Sequence, residues 1–360
     1  MAVTVRSNDP TGKVLLAHAL QKFNWSELCR LQTVEEMTSY FTDTVSLMLD
    51  QYLPRRTAIR HTNDKPWITD EFRRLIRRRQ YAFTHDNQPL YRRLRNAVNR
   101  ASKRLRKRYY ERRIRDLRSC NSANWWRETK RLTGQSKKQS DLDSLINTTA
   151  DGDVHEMAKM INTSMVNVSA DLTPLGDCSI PLQQIPHEFT ILPEEVECRL
   201  SRINCRKAPG PDGIPNWFLR DFAAILSEPV CSIFNKSIQE GQVPTMWKKA
   251  DVVPVPKTRT PTNINNDLRP ISLTPTISKV LESFVDAWML EAIGDKFDEK
   301  QFGGLRGRST VHAMIDILHL WHQALDKTHS VRVLFIDFTK AFDHVDHVIV
   351  LEKLAELGVP

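Results

Sequence analysis

The sequence predicts an α/β chain of the α+β kind, in which a mainly helical basic region precedes a mixed domain. Three observations predict it. Apolar residues recur every three or four positions from Leu90 through Leu94, Ala97, Ala101 and Leu105 to Tyr109, which is the period of a helix. Two strand-like runs, Ala250–Val255 and Leu268–Leu273, flank the polar stretch Lys257–Asp267, the pattern of a β-hairpin with a long tip. A further apolar run, Val331–Phe338, reads as a strand, and as a central one because so little of it is polar.

The N-terminal residues predict two helices, around Val14–Arg30 and Thr33–Tyr52, the second stopping before Pro54. The periodic stretch then predicts one long helix over Pro89–Arg118. At ~1.5 Å per residue that helix is about 45 Å long, enough to follow several phosphates of a duplex. Its apolar stripe is expected to pack on the protein. Its other faces carry Arg100, Lys103, Arg104 and Lys107.

Charge marks the same region. The chain has a formal net charge of +9, yet Glu71–Arg118 holds 18 Lys/Arg against 4 Asp/Glu, a net +14. The remainder therefore sums to 9 − 14 = −5. So concentrated a positive field favours a polyanionic partner, against the plainer reading of a solvated helix. The six cysteines, Cys29, Cys120, Cys178, Cys198, Cys205 and Cys231, form no CxxC pair. They suit neither a zinc ribbon nor a disulfide framework. With no signal-like apolar segment near the N-terminus and no run long enough to span a membrane, a cytoplasmic or nuclear setting is expected. No protein partner is indicated.

Three segments are predicted along the chain: a helical basic region over 1–150, a linker over 151–190 and a mixed domain over 191–360. Within the last, Lys207–Pro215 (KAPGPDGIP) is a rigid turn-rich loop. It is either a structural turn or a loop that presents N–H groups and Lys207 to a phosphate backbone. Lys257 and Arg269 fall on the two shoulders of the hairpin. Antiparallel pairing brings them close, as a clamp for a polyphosphate or as two ordinary surface cations. Gln301–Thr310 (QFGGLRGRST) precedes a helix with Val311, Met314, Leu318, Trp321 and Leu325 on one face. Ser309 or Thr310 is its expected N-cap, and Arg306 and Arg308 beside a helix start suit an anion. The spacing is not that of a nucleotide-hydrolysing P-loop.

Asp337 closes the predicted central strand. A carboxylate there is costly unless it meets a cation, and Mg²⁺ is the obvious one. Asp343 and Asp346 precede a predicted helix, Val348–Leu357, and are expected to serve its N-terminus. A four-histidine metal site from His319, His322, His344 and His347 is disfavoured because no acidic orienter accompanies it.

Taken in order, KAPGPDGIP, the Trp247–Lys257 run, LRPISL, the GRST element and FIDFTKAFD resemble the front half of a reverse transcriptase from a non-LTR (LINE-type, Jockey-like) retrotransposon. The resemblance runs from about Leu192 to Pro360. It implies right-hand polymerase fingers and a partial palm. It implies that Asp337 is the first metal-binding aspartate, helped by the backbone carbonyl of Phe338. Lys257 and Arg269 would grip the triphosphate, and Phe342 would lie under the sugar and reject a 2′-OH. Lys207, Gly210 and Asp212 would lie near the template path. The basic region resembles the linker that follows the endonuclease in such elements. RNA template, DNA primer and deoxynucleoside triphosphates are the implied partners, and two Mg²⁺ ions the implied cofactor.

The family's second acidic strand, of the [FY]-A-D-D type, does not occur in the 360 residues, and Gly303-Gly304 replaces the usual Gly-Phe. The expectation is a polymerase fragment, truncated at both ends and inactive alone. The alternatives are a non-catalytic nucleic-acid-binding protein of retrotransposon origin and a purely structural helical protein.

Overall fold

A computed structural model describes the chain apart from residues 1, 8, 60–64, 66, 119–124, 127–128, 131–132, 134–141, 151–152, 177–185, 259 and 360. Cys120, Cys178, Pro181 and the polar stretch Gly134–Ser140 lie outside the described residues. In chain order the elements are β1 (Ala2–Arg6), α1 (Pro10–Lys22), α2 (Val34–Tyr52), β2 (Arg55–Ile59), α3 (Asp70–Thr84), α4 (Gln88–Arg118), α5 (Leu142–Thr149) and α6 (Val154–Val166). There follow α7 (Pro193–Ser201), α8 (Asn216–Asp221), α9 (Ala223–Glu240), β3 (Asp251–Pro256), β4 (Leu268–Leu273), α10 (Thr276–Ile293), α11 (Thr310–Asp326) and α12 (His347–Glu356). The fold is mixed α/β, mostly helical, with two small antiparallel ribbons, β1–β2 and β3–β4.

Two compact units form. The first comprises residues 1–8 and 53–139. Its β1–β2 ribbon pairs Ala2 with Ile59 and Arg6 with Arg55. Its α3 and α4 make a helical hairpin. Thr69 caps α3 by accepting from the Phe72 amide at 3.2 Å, and Asn87 opens α4 by accepting from the Leu90 amide at 3.1 Å. The expected apolar stripe packs in part: Leu94 is buried, Ala97, Ala101, Leu105 and Tyr109 are half-buried and Leu90 is exposed, while Val98 beside the stripe is buried, as are Phe72 and Ala82 of α3.

The second unit comprises residues 9–52 and 140–360. The N-terminal helices therefore fold with the C-terminal part of the chain, although the sequence groups them with the basic region. The reason is apolar burial. Leu16 and Leu20 of α1 and Phe41, Val45 and Leu49 of α2 are buried, as are Val196 and Leu200 of α7, Val230 and Phe234 of α9 and Phe284 of α10. Polar contacts fix the entry to α2. Thr33 and Glu36 form a reciprocal capping box, at 3.2 and 3.1 Å. The Glu240 carboxylate, at the end of α9, accepts from the Val34 amide at 3.1 Å. That satisfies an N–H that a helix start leaves without an intrahelical partner.

Residues 142–166, part of which the sequence suggests as linker, supply α5 and α6. Leu145, Ala150 and Met157 are buried together with Leu268 of β4. The β3–β4 ribbon forms as expected, with Val255 opposite Arg269 and Pro256 opposite Leu268.

The predicted central strand does not form. Val331–Phe338 carries no strand pairing, and Leu334 and Ile336 are 83 % and 72 % exposed. A strand exists only through hydrogen bonds to a neighbour, and among the described residues each sheet has two strands, both elsewhere. Helices α11 and α12 form where expected, capped by Ser309 and Asp346. Neither buries a residue, so the apolar face of α11 stays open to water. No helix among the described residues is long and apolar enough to cross a membrane.

Candidate functional site

The β3–β4 ribbon organises the site. Pairing of Val255 with Arg269 continues to a hydrogen bond from the Lys257 amide to the Asp267 carbonyl, 2.7 Å. Alternation along each strand then sets Lys257 and Arg269 on one face as diagonal neighbours. The intervening loop is tied down by Asp267, which no sequence signal marked. Its carboxylate accepts from the amides of Thr262 at 2.9 Å and Asn263 at 3.0 Å. Those amides, first Thr262 and then Asn263, lower its pKa, and the Lys257 cation adds to the effect.

Lys257 and Arg269 line a cleft of about 570 Å³ together with Met165 of α6 and the turn Lys340–Asp343. That turn is tight. Lys340 takes a left-handed conformation (φ 49°), and its carbonyl accepts from the amides of Asp343 at 2.9 Å and His344 at 3.2 Å. The consequence is that Phe342 and Asp343 reach the cleft, with the Phe342 ring 96 % exposed at its rim. Three cations, Lys257, Arg269 and Lys340, thus face one carboxylate, Asp343, a balance that suits an anion. Asp343 was expected at the helix N-terminus; Asp346 alone does that work, accepting from the amides of Val348 and Ile349 at 2.8 and 3.4 Å.

Asp337 and Phe338 do not line this cleft. Both are exposed, Phe338 at 75 %, because the segment that carries them pairs with no strand. Among the described residues no group of three or more His, Cys, Asp or Glu could hold a metal ion. A pair of Mg²⁺ ions takes several oxygen ligands, and the donors assembled around Asp337 do not fit that need. The four histidines form no such group either.

The Lys207–Pro215 loop resolves toward its structural reading at two positions. Gly210 is buried. A Cβ there would stand 2.5 Å from the Pro275 nitrogen and 2.6 Å from Pro275 Cα, so glycine permits backbone to meet backbone. The start of α10 covers it. Asn216, likewise unmarked in the sequence, holds the loop. Its side-chain amide donates to the Lys207 carbonyl at 3.1 Å and its oxygen accepts from the Thr276 hydroxyl at 2.6 Å. Asp212 is drawn inward, and burial raises its carboxyl to about 6 against the counter-effects of the Ile214 amide and Lys279. The side chain of Lys207 stays exposed.

At the GRST element, Arg308 is engaged internally. Its Nη1 donates to the carbonyls of Asp298, Glu299 and Gln301 at 3.0, 2.8 and 2.8 Å, which fixes the loop before α11. Arg306 is exposed. In the first unit, Arg100, Lys103, Arg104 and Lys107 are all exposed along α4, turned away from buried Leu94 and Val98. Lys107 lies 3.8 Å from Glu111.

Residues 255–360 match the family model for reverse transcriptase (RNA-dependent DNA polymerase). Over these residues the chain is similar to reverse transcriptases. The curated proteins it is similar to include proteins of mobile and retrotransposable elements. It is 26% identical over 302 residues to the RNA-directed DNA polymerase from mobile element jockey of Drosophila melanogaster, over 79% of this chain and 32% of that protein. It is 26% identical over 350 residues to the Pol polyprotein from type-1 retrotransposable element R1 of Bradysia coprophila, over 90% of this chain and 33% of that protein. To the probable RNA-directed DNA polymerase from transposon X-element of Drosophila melanogaster it is 31% identical, over 46% of this chain and 19% of that protein. The chain thus spans a third or less of these curated relatives.

Proposed function

We propose that residues 191–360 are the nucleotide-gripping part, fingers and the start of a palm, of an RNA-directed DNA polymerase of the retrotransposon kind. The observation that carries this reading is the meeting of Lys257, Arg269 and Phe342 at one cleft within the segment matched to reverse transcriptase. An ammonium and a guanidinium neutralise the triphosphate, the guanidinium by a planar fork of donors. Phe342, beside them, meets the sugar and disfavours a 2′-OH. The resemblance assigns Asp337 and the carbonyl of Phe338 to a divalent-metal site, but the described residues assemble no such site around them. RNA template, DNA primer and deoxynucleoside triphosphates are the substrates, in the cytoplasm or the nucleus.

Titration of the chain with a fluorescent deoxynucleoside triphosphate tests the clamp. Lys257→Ala and Arg269→Ala should each weaken binding roughly tenfold or more, the size of one charge-assisted hydrogen bond. Unchanged affinity in both sinks the clamp. Phe342→Ala should erase any preference for the deoxy over the ribo triphosphate. The 360-residue chain is expected not to extend a primer in Mg²⁺, and extension that depends on Asp337 would overturn that expectation.

A second reading, nucleic-acid binding by the basic region, is favoured by the exposure of Arg100, Lys103, Arg104 and Lys107 on one side of a 31-residue helix. It needs no contribution from Asp337, so Asp337→Asn should leave binding intact.

A further inference from the structure

The tip of the α3–α4 hairpin carries rings where a soluble surface ordinarily avoids them. Tyr81 is 64 % exposed and Phe83 52 %. They do not stand singly. The Tyr81 ring stacks on His85, with centroids 3.9 Å apart and planes at 27°. Phe83 meets Tyr91 of α4 across the turn, at 5.2 Å. The arrangement is held from below. His85 Nδ1 lies 3.0 Å from the Tyr81 carbonyl and 3.2 Å from the Thr84 hydroxyl. The turn is set by Asp86 in a left-handed conformation (φ 49°) and by the Asn87 amide donating to the Ala82 carbonyl at 3.0 Å.

Helical spacing continues this aromatic pair down α3. Arg74, Arg77 and Arg78 precede Tyr81 by seven, four and three residues and are exposed. At ~100° per residue they share a stripe with Tyr81 and His85, opposite the face that buries Phe72 and Ala82. Across the turn, Arg92, Arg93 and Arg95 are exposed on α4. The acid at the tip is Asp86, whose carboxylate accepts from Gln88 at 3.2 Å.

We propose that the Tyr81–His85 stack with the Arg74, Arg77 and Arg78 stripe is a platform for single-stranded nucleic acid, which takes unpaired bases on the rings and phosphates on the arginines. The inference rests on the second reading above, that the basic region binds nucleic acid, and adds which form it binds. Arginines alone would serve a duplex equally well, since phosphates are common to both forms. Exposed, pre-stacked rings add something only a single strand can use, because a duplex hides its base faces within its own stack. The charge around the rings excludes a basic partner and suits a polyanion.

Fluorescence anisotropy of the full chain, with a labelled oligoadenylate and with a labelled duplex of equal length, tests this. The double variant Tyr81→Ala/His85→Ala should weaken single-strand binding about tenfold, the scale of one base–ring stack, and leave duplex binding and the salt slope unchanged. Both side chains are exposed, so helicity by circular dichroism should hold. Tyr81→Trp should retain wild-type binding, and Tyr81→Leu, which keeps apolar bulk without a flat face, should not. Equal weakening on both probes, or undiminished single-strand binding, overturns the stacking platform while the basic-region reading stands. Failure of the wild-type chain to bind either probe at low salt overturns both.

Discussion

Replacing Asp212 by Asn removes a charge that the Lys207–Pro215 loop holds partly out of water. Burial raises this carboxyl from its ordinary 3.8 to about 6, against the Ile214 amide and Lys279, which pull it down. Because the folded-state value lies above the unfolded one, the folded chain keeps a proton that the unfolded chain has already released. Stability from this group is therefore full below about 3.8 and falls as pH rises to about 6, beyond which the slope ends. The interval corresponds to about 3 kcal/mol at 1.36 kcal/mol per pH unit. Partial solvation of the carboxylate reduces this to about 1–3 kcal/mol. Asn keeps an oxygen for the Ile214 amide, now at 3.3 Å from Asp212, and has no proton to lose. Urea unfolding of both proteins from about pH 4 to about pH 8, followed by tryptophan fluorescence, isolates the effect, since other titrating groups cancel in the difference. Relative to its standing at the acid end, Asp212→Asn should gain about 1–3 kcal/mol on the wild type by the alkaline end. A difference that does not vary with pH, or that moves the other way, would show that Lys279 rather than desolvation governs the group.

Gly210→Ala should destabilise the second unit by about 1–3 kcal/mol, because the new Cβ meets only backbone, at 2.5–2.6 Å, and backbone at a helix start yields poorly. The drop is read as a lower urea midpoint with an unchanged slope, and a neutral result would mean that Pro275 moves freely. Neutralising Arg100, Lys103, Arg104 and Lys107 together to Gln should reduce the slope of log affinity against log salt by about 3–4 for duplex DNA, at ~0.9 for each phosphate no longer neutralised. An unaltered slope would show that this side of α4 does not face phosphates.

Much of the fold was legible because it is local. The apolar period of α4, the caps Ser309 and Asp346, and the β3–β4 ribbon each depend on residues near one another in sequence. The nearness of Lys257 and Arg269 was legible for the same reason, since antiparallel pairing carries register from one end of a hairpin to the other. What failed is instructive. FIDFTKAFD has the composition of a buried strand, but composition supplies no partner, and among the described residues none pairs with it. Asp337 therefore stands in water, apart from the clamp that its motif suggests.

Sequence by itself determined the motifs that resemble a reverse transcriptase, their order, the concentration of charge along α3 and α4, and the two cations of the hairpin. Only the tertiary structure decided that the N-terminal helices fold with the C-terminal half, that Gly210 is a packing residue and that Asp212 is drawn inward. It alone brought Phe342 and Asp343 to the cleft of Lys257 and Arg269. The division has one physical cause. Periodicity, capping and turn chemistry act over a few residues and can be read in one dimension. Burial and strand pairing are properties of surfaces that meet across long stretches of chain, and a sequence names those surfaces without naming their partners.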